Sequence, residues 1–121
     1  THSGTVTAAS EWGETPQSFA LSLAEEGSHS DVMHRALPEV CARHAGSARN
    51  SFLLVLSGGA AGDETQQLAR AALREPRRQR AIGVCYKRAM EERSHYVEAS
   101  LTTQFDAWIH VDRTTALKPF E

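Results

Sequence analysis

The apolar positions divide the chain into alternating strand-like and helix-like stretches. Thr5-Val6-Thr7-Ala8-Ala9 sets β-branched residues among small ones and predicts a short strand, ended by the turn chemistry of Ser10 to Pro16. Phe19, Leu21 and Leu23 alternate with Ala20, Ser22 and Ala24, which predicts a second strand and an edge candidate. Gly27 to Asp31 reads as a loop entering a helix. Ser28 or Ser30 is suited to accept from its first N–H groups, and Asp31 to its positive end. Val32, Met33, Ala36 and Leu37 form one apolar face of that helix.

Pro38 has no N–H and clashes with the preceding turn, so a break is expected there. A second short helix from Pro38 to Ala45 would then turn Val40 and Cys41 inward and stop at Gly46. Phe52-Leu53-Leu54-Val55-Leu56 is apolar without alternation, the pattern of a strand covered on both faces. After the turn from Ser57 to Gly62, Asp63 is placed to cap a helix to Glu75, with Leu68, Ala69, Ala72 and Leu73 at helical spacing and Pro76 as its stop. Ala81 to Tyr86 is a second continuous apolar run, so strand, helix and strand in succession predict a right-handed crossover. In the last strand Phe105, Ala107, Ile109 and Val111 share one face, with Asp106, Trp108, His110 and Asp112 on the other. The pattern predicts an α/β fold: a layered, mostly parallel sheet flanked by helices.

Length and composition narrow this further. The 121 residues, 40% hydrophobic, suit one core and a single α/β segment over 1–121. A formal net charge of −2 excludes a generally basic nucleic-acid binder, and no apolar run approaches a membrane span. Cys41 and Cys85 lie in unlike patterns, which favours buried free thiols in a reducing compartment, and the expectation is a cytoplasmic enzyme. The chain opens at Thr1 without an initiator methionine and enters a strand almost at once, so a cut through a larger protein is expected.

Candidate chemistry is sparse. The turn after Leu56 sits where a phosphate loop would, but it has no Lys-Ser/Thr pair and Asp63 would face the phosphate, so a plain loop is the reading. Cys41 with His44 and His110 with Asp112 share faces without a visible second pair of ligands, so no metal is expected. Arg74, Arg77, Arg78 and Arg80 read as a solvated turn. Ser94-His95-Tyr96 offers a base, a hydroxyl and a phenol, but adjacent residues do not face one another. It therefore reads as site-lining rather than as a self-contained Ser-His pair.

The run Arg80-Ala81-Ile82-Gly83-Val84-Cys85-Tyr86, then Glu91, Ser94-His95-Tyr96, Gln104-Phe105-Asp106-Ala107, Ile109-His110-Val111-Asp112 and Thr114-Thr115-Ala116-Leu117, resembles the C-terminal end of the erythromycin esterase-like family. Gly4 to Trp12, and Gly27-Ser28 with His34, fit the same resemblance. It departs where family members carry a Pro-Glu-Thr-Glu-Arg run: this chain has Arg88-Ala89-Met90-Glu91-Glu92, and only Glu91 matches in register.

The resemblance implies hydrolysis of a macrolide lactone or another small-molecule ester by water, with catalytic histidines and glutamates in segments ahead of Thr1. On that basis this chain supplies no catalytic residue and no cofactor site, and is inactive alone. His95 and Tyr96 are its expected substrate-binding residues. Two other expectations stand beside this one: a non-catalytic α/β module for binding or oligomerisation, and a small-ligand binder using the Ser57 to Gly62 turn.

Overall fold

The computed structural model describes residues 1–43, 49–58 and 64–118. Its elements are β1 (Ser3–Ala8), β2 (Gln17–Ala20), α1 (His29–Arg43), β3 (Ser51–Val55), α2 (Glu64–Arg74) and β4 (Arg77–Arg80). A 3-10 turn (Arg88–Met90) then leads into α3 (Glu91–Ser94), β5 (Tyr96–Ala99), α4 (Leu101–Gln104), β6 (Ala107–Val111) and β7 (Arg113–Thr114). The fold is mixed α/β, but the expected mostly parallel sheet does not form. Three small sheets take its place, ordered β2-β1-β7, β3-β6 and β4-β5, and only the β1–β7 pair is parallel among the named strands. β3 and β4 enter different sheets, so the helix between them makes no crossover within one sheet.

The parallel β1–β7 contact explains one glycine. Gly4 has a φ of +125, and a Cβ there would meet the Thr114 carbonyl oxygen at 2.0 Å. Only glycine allows both that backbone conformation and that approach.

Pro38 lies inside α1, which continues through it to Arg43. The ring removes the one N–H that would bond the His34 carbonyl, while buried Met33 and Leu37 anchor the preceding turns. The helix starts where its cap predicts: Ser28 Oγ accepts from the Asp31 N–H at 3.3 Å, and Asp31 reaches back to the Gly27 N–H at 2.8 Å. The proposed stop at Gly46 and the cap at Asp63 lie outside the described residues, as does most of the Ser57 to Gly62 turn.

The strand expected at Ala81 to Tyr86 forms earlier, at Arg77–Arg80, where Arg80 pairs with Tyr96 across β4 and β5. The apolar run makes only an isolated parallel bridge, Ala9 with Cys85. Its burial is uneven: Tyr86 joins Ala8 and Leu21 in one core cluster, with Val6, Phe19 and Ile82 packed against it, whereas Ala81 and Val84 are exposed. Apolar content there gave neither a ladder nor uniform burial.

The second cluster is Met33, Leu56, Leu73, Ala99 and Leu101, onto which Phe52, Leu54 and Trp108 pack from β3 and β6. That sheet is covered on one face rather than two. Leu53 and Val55 point outward and are exposed, as is Ile109, the cross-strand partner of Leu53. In β6 the face that looks polar in sequence is the inward one, with His110 buried and Ile109 outside. Cys41 and Cys85 are partly buried. Among the described residues, no helix is long and apolar enough to cross a membrane.

Candidate functional site

Two polar clusters, each built around one carboxylate, lie in this fold. The first is held by the end of β4 and the start of α3. The Arg80 and Glu91 side chains are 2% and 3% exposed, with Nε and Oε1 2.7 Å apart. The two atoms are close as an ion pair but outside hydrogen-bond alignment, since neither has a hydrogen-bond partner. Arg80 donates instead to the carbonyls of Ser22 at 2.7 Å and Thr1 at 3.1 Å, stitching β4 to the chain around β1 and β2.

Glu91 Oε2 accepts from the Ser22 N–H at 3.2 Å and from the Tyr86 hydroxyl. Burial, followed by the Glu91 hydrogen bond and charge, pushes the Tyr86 phenol up to about 12. The phenol is therefore a fixed donor near neutral pH. The run of arginines is thus not uniformly solvated: its last member is among the most buried charges in the chain.

Beside this knot opens a pocket of about 420 Å³ between the Ser22–Glu25 segment and the Arg88–Tyr96 segment, with Ser22, Glu25, Arg88, Glu91, Arg93 and Tyr96 in its wall. The Tyr96 hydroxyl accepts from the Glu25 N–H at 2.9 Å, and the guanidinium groups of Arg78 and Arg80 lie over its ring at 5.1 and 5.6 Å. Of the two residues expected to line a site, Tyr96 is in the wall of this pocket. His95 is not in the wall: it turns toward Tyr86, ring centroids 5.2 Å apart, and its Nε2 accepts from the Lys87 N–H at 3.3 Å. Their divergence follows from position, since His95 ends α3 and Tyr96 begins β5.

The second cluster gathers residues far apart in sequence. Asp112, just beyond β6, lies 2.9 Å from His34 Nδ1 on α1 and 3.1 Å from His110 Nε2 on β6. Burial works against the Asp112 charge, but the His110 and His34 donors outweigh it, and its carboxyl sits below the usual range. His110 is lowered chiefly by burial, only partly countered by Asp112, and is held neutral. His2 stacks on His34 with centroids 3.7 Å apart and planes 6° from parallel. Burial, and then the neighbouring His34, lower His2 as well.

His110 and Asp112 share a strand face, so their pairing is visible in the sequence, whereas the arrival of His34 from α1 has no local signal. Among the described residues, no group of three or more His, Cys, Asp or Glu is placed to hold a metal ion.

No solved structure matches the chain. A protein-family comparison does: the model described as erythromycin esterase matches residues 1–114. That span takes in both carboxylate clusters and the pocket between Ser22 and Tyr96, and by it the chain belongs to the erythromycin esterase family.

Proposed function

We propose that this chain is the C-terminal portion of an erythromycin-esterase-like hydrolase, in which water is added to a macrolide lactone or another small-molecule ester. The family match over residues 1–114 carries the reading. On this reading general-base catalysis of water attack involves histidines and glutamates ahead of Thr1, and the chain supplies sheet strands and a wall of the cleft. Tyr96 is the better substrate-facing candidate because it lies in the pocket wall, with Arg88 and Arg93 beside it. His95 contributes from behind, through Tyr86 and Lys87. The location proposed for the whole enzyme is cytoplasmic.

The test is to produce the full reading frame and assay erythromycin and p-nitrophenyl acetate hydrolysis. Hydrolysis of either ester, with a raised KM in Tyr96→Ala, is the expected result. No hydrolysis of any ester would count against the reading, and unchanged kinetics in both His95→Ala and Tyr96→Ala would remove this pocket from the site.

One observation favours a second reading, a non-catalytic module that oligomerises. Leu53, Val55 and Ile109 make an exposed apolar strip on the β3–β6 sheet, of the kind that associates. Sedimentation of the 121-residue chain distinguishes the two: a defined dimer would favour the module, and polydisperse association the portion of a larger fold.

A further inference from the structure

The pocket between the Ser22–Glu25 and Arg88–Tyr96 segments carries acidic and basic side chains, but they are not equally engaged. Its carboxylates are mostly occupied. Glu91, with its side chain 3% exposed, is met by Arg80, the Ser22 N–H and the Tyr86 hydroxyl. Glu25 Oε1 pairs with Arg78 at 3.2 Å, and its Oε2 is buried, away from anything entering the pocket. Glu92 is the remaining carboxylate of the wall, and it is exposed.

The donors are largely unspent. Among the described residues, the Arg88 and Arg93 guanidinium groups and the Ser22 hydroxyl have no ion-pair or hydrogen-bond partner. Tyr96 is 9% exposed, and its hydroxyl oxygen accepts from the Glu25 N–H, which leaves the O–H proton for another acceptor. What the wall lacks is acceptors. Arg78 and Arg80, outside the wall, offset Glu25 and Glu91, so Arg88 and Arg93 outweigh Glu92 by a single positive charge. That balance suits a monoanion, and the two oxygens of a carboxylate match the planar fork of a guanidinium. Leu23, 70% exposed, and Ala89 add an apolar lip for the rest of the molecule. The volume of about 420 Å³ is toward the small end of ligand pockets, roughly 300–1,000 Å³.

We propose that this pocket is a subsite for a carboxylate, held by Arg88 and Arg93 with the Tyr96 hydroxyl, and that the ester cleaved is a small one carrying an acid group. The carboxylate site stands on the pocket alone, while its part in choosing a substrate rests on the ester-hydrolase reading. Glu92 works against the anion and limits its affinity.

Calorimetry of the 121-residue chain with p-acetoxybenzoate, its methyl ester and inorganic phosphate tests the site. The acid should bind at one site, about ten-fold or more tighter than the methyl ester, and should weaken as salt rises. Arg88→Gln combined with Arg93→Gln should weaken it about ten-fold or more, whereas Glu92→Gln should tighten it. Arg113→Gln, at an exposed arginine outside the wall, should change it by less than about two-fold. No saturable binding, equal affinity for acid and methyl ester, tighter binding of phosphate, or the same loss in Arg113→Gln would overturn the proposal.

In the full-length enzyme, kcat/KM for p-acetoxybenzoate should exceed that for its methyl ester, chiefly through KM, and the double arginine variant should erase that preference. A preference kept in the variant would overturn the pocket's part in choosing the substrate. If the parent cleaves neither ester while the chain still binds p-acetoxybenzoate, the ester-hydrolase reading falls and the carboxylate site stands.

Discussion

The two carboxylate clusters differ in what surrounds the acid. Glu91 is met by a permanent cation, a backbone N–H and a phenol that stays protonated far above neutral pH. The Arg80, Glu91 and Tyr86 side chains of that knot are all buried. Asp112 is met by two imidazoles, one buried and one half open to solvent. The first arrangement can hold strands and α3 together but has no proton to move. The second sets an aspartate between a buried imidazole and a half-exposed one. The two clusters differ in the titratable partners around the carboxylate rather than in the presence of a charge as such.

The largest expected effect breaks the first cluster. Glu91→Ala leaves Arg80 buried and uncompensated and should cost about 3–5 kcal/mol in urea unfolding of the 121-residue chain, whereas Arg80→Met combined with Glu91→Leu should cost much less. A loss under about 1 kcal/mol in the single variant would mean that the knot is hydrated in solution. Next is Tyr86→Phe, which removes a hydrogen bond to a charged acceptor at the cost of about 1.5–3 kcal/mol. In a spectroscopic titration the parent should show a tyrosine ionising near pH 12, missing from that variant.

The second cluster should show itself in acid. His110 in this cluster, and His29 outside it at the Ala99 carbonyl, have values lowered by burial, so the unfolded chain binds more protons as pH falls below the ordinary histidine range. Their contribution is full above about pH 6.5 and is lost progressively below it, with the Asp112 contribution lost only at lower pH, as its carboxyl protonates. Stability should therefore fall as the pH drops below about 6.5, and His110→Gln should flatten that slope. A flat profile in the parent would show that these rings are not held neutral. The smallest effect is at the open sheet face: Leu53→Lys should change stability by no more than about 0.5 kcal/mol while reducing self-association in sedimentation.

Much of the fold was legible locally. The Ser28 cap, the apolar face of α1 through Met33 and Leu37, and the strand at β1 rest on short-range rules, and they form where those rules put them. The differences arise where an apolar run reads as a buried strand. Ala81 to Tyr86 buries only Tyr86 and has no strand partner beyond one bridge, while the charged Arg77–Arg80 stretch forms the ladder. Phe52 to Leu56 looked covered on both sides, yet Leu53 and Val55 face outward. Tyr96 is in the pocket wall and His95 is turned elsewhere, because the end of α3 between them rotates one residue away from the other.

What the sequence determined by itself is the family, the mixed α/β class, and the shared strand face on which His110 meets Asp112. Tertiary structure alone decided which charges are buried and which base meets which acid. Arg80 looks like the other arginines until Glu91 and the Ser22 carbonyl close around it. His34 is one polar position on a helix until α1 lays it against Asp112, 78 residues away. The physical reason is that a carboxylate's partners are chosen by distance in space, and no local pattern encodes a contact across that separation.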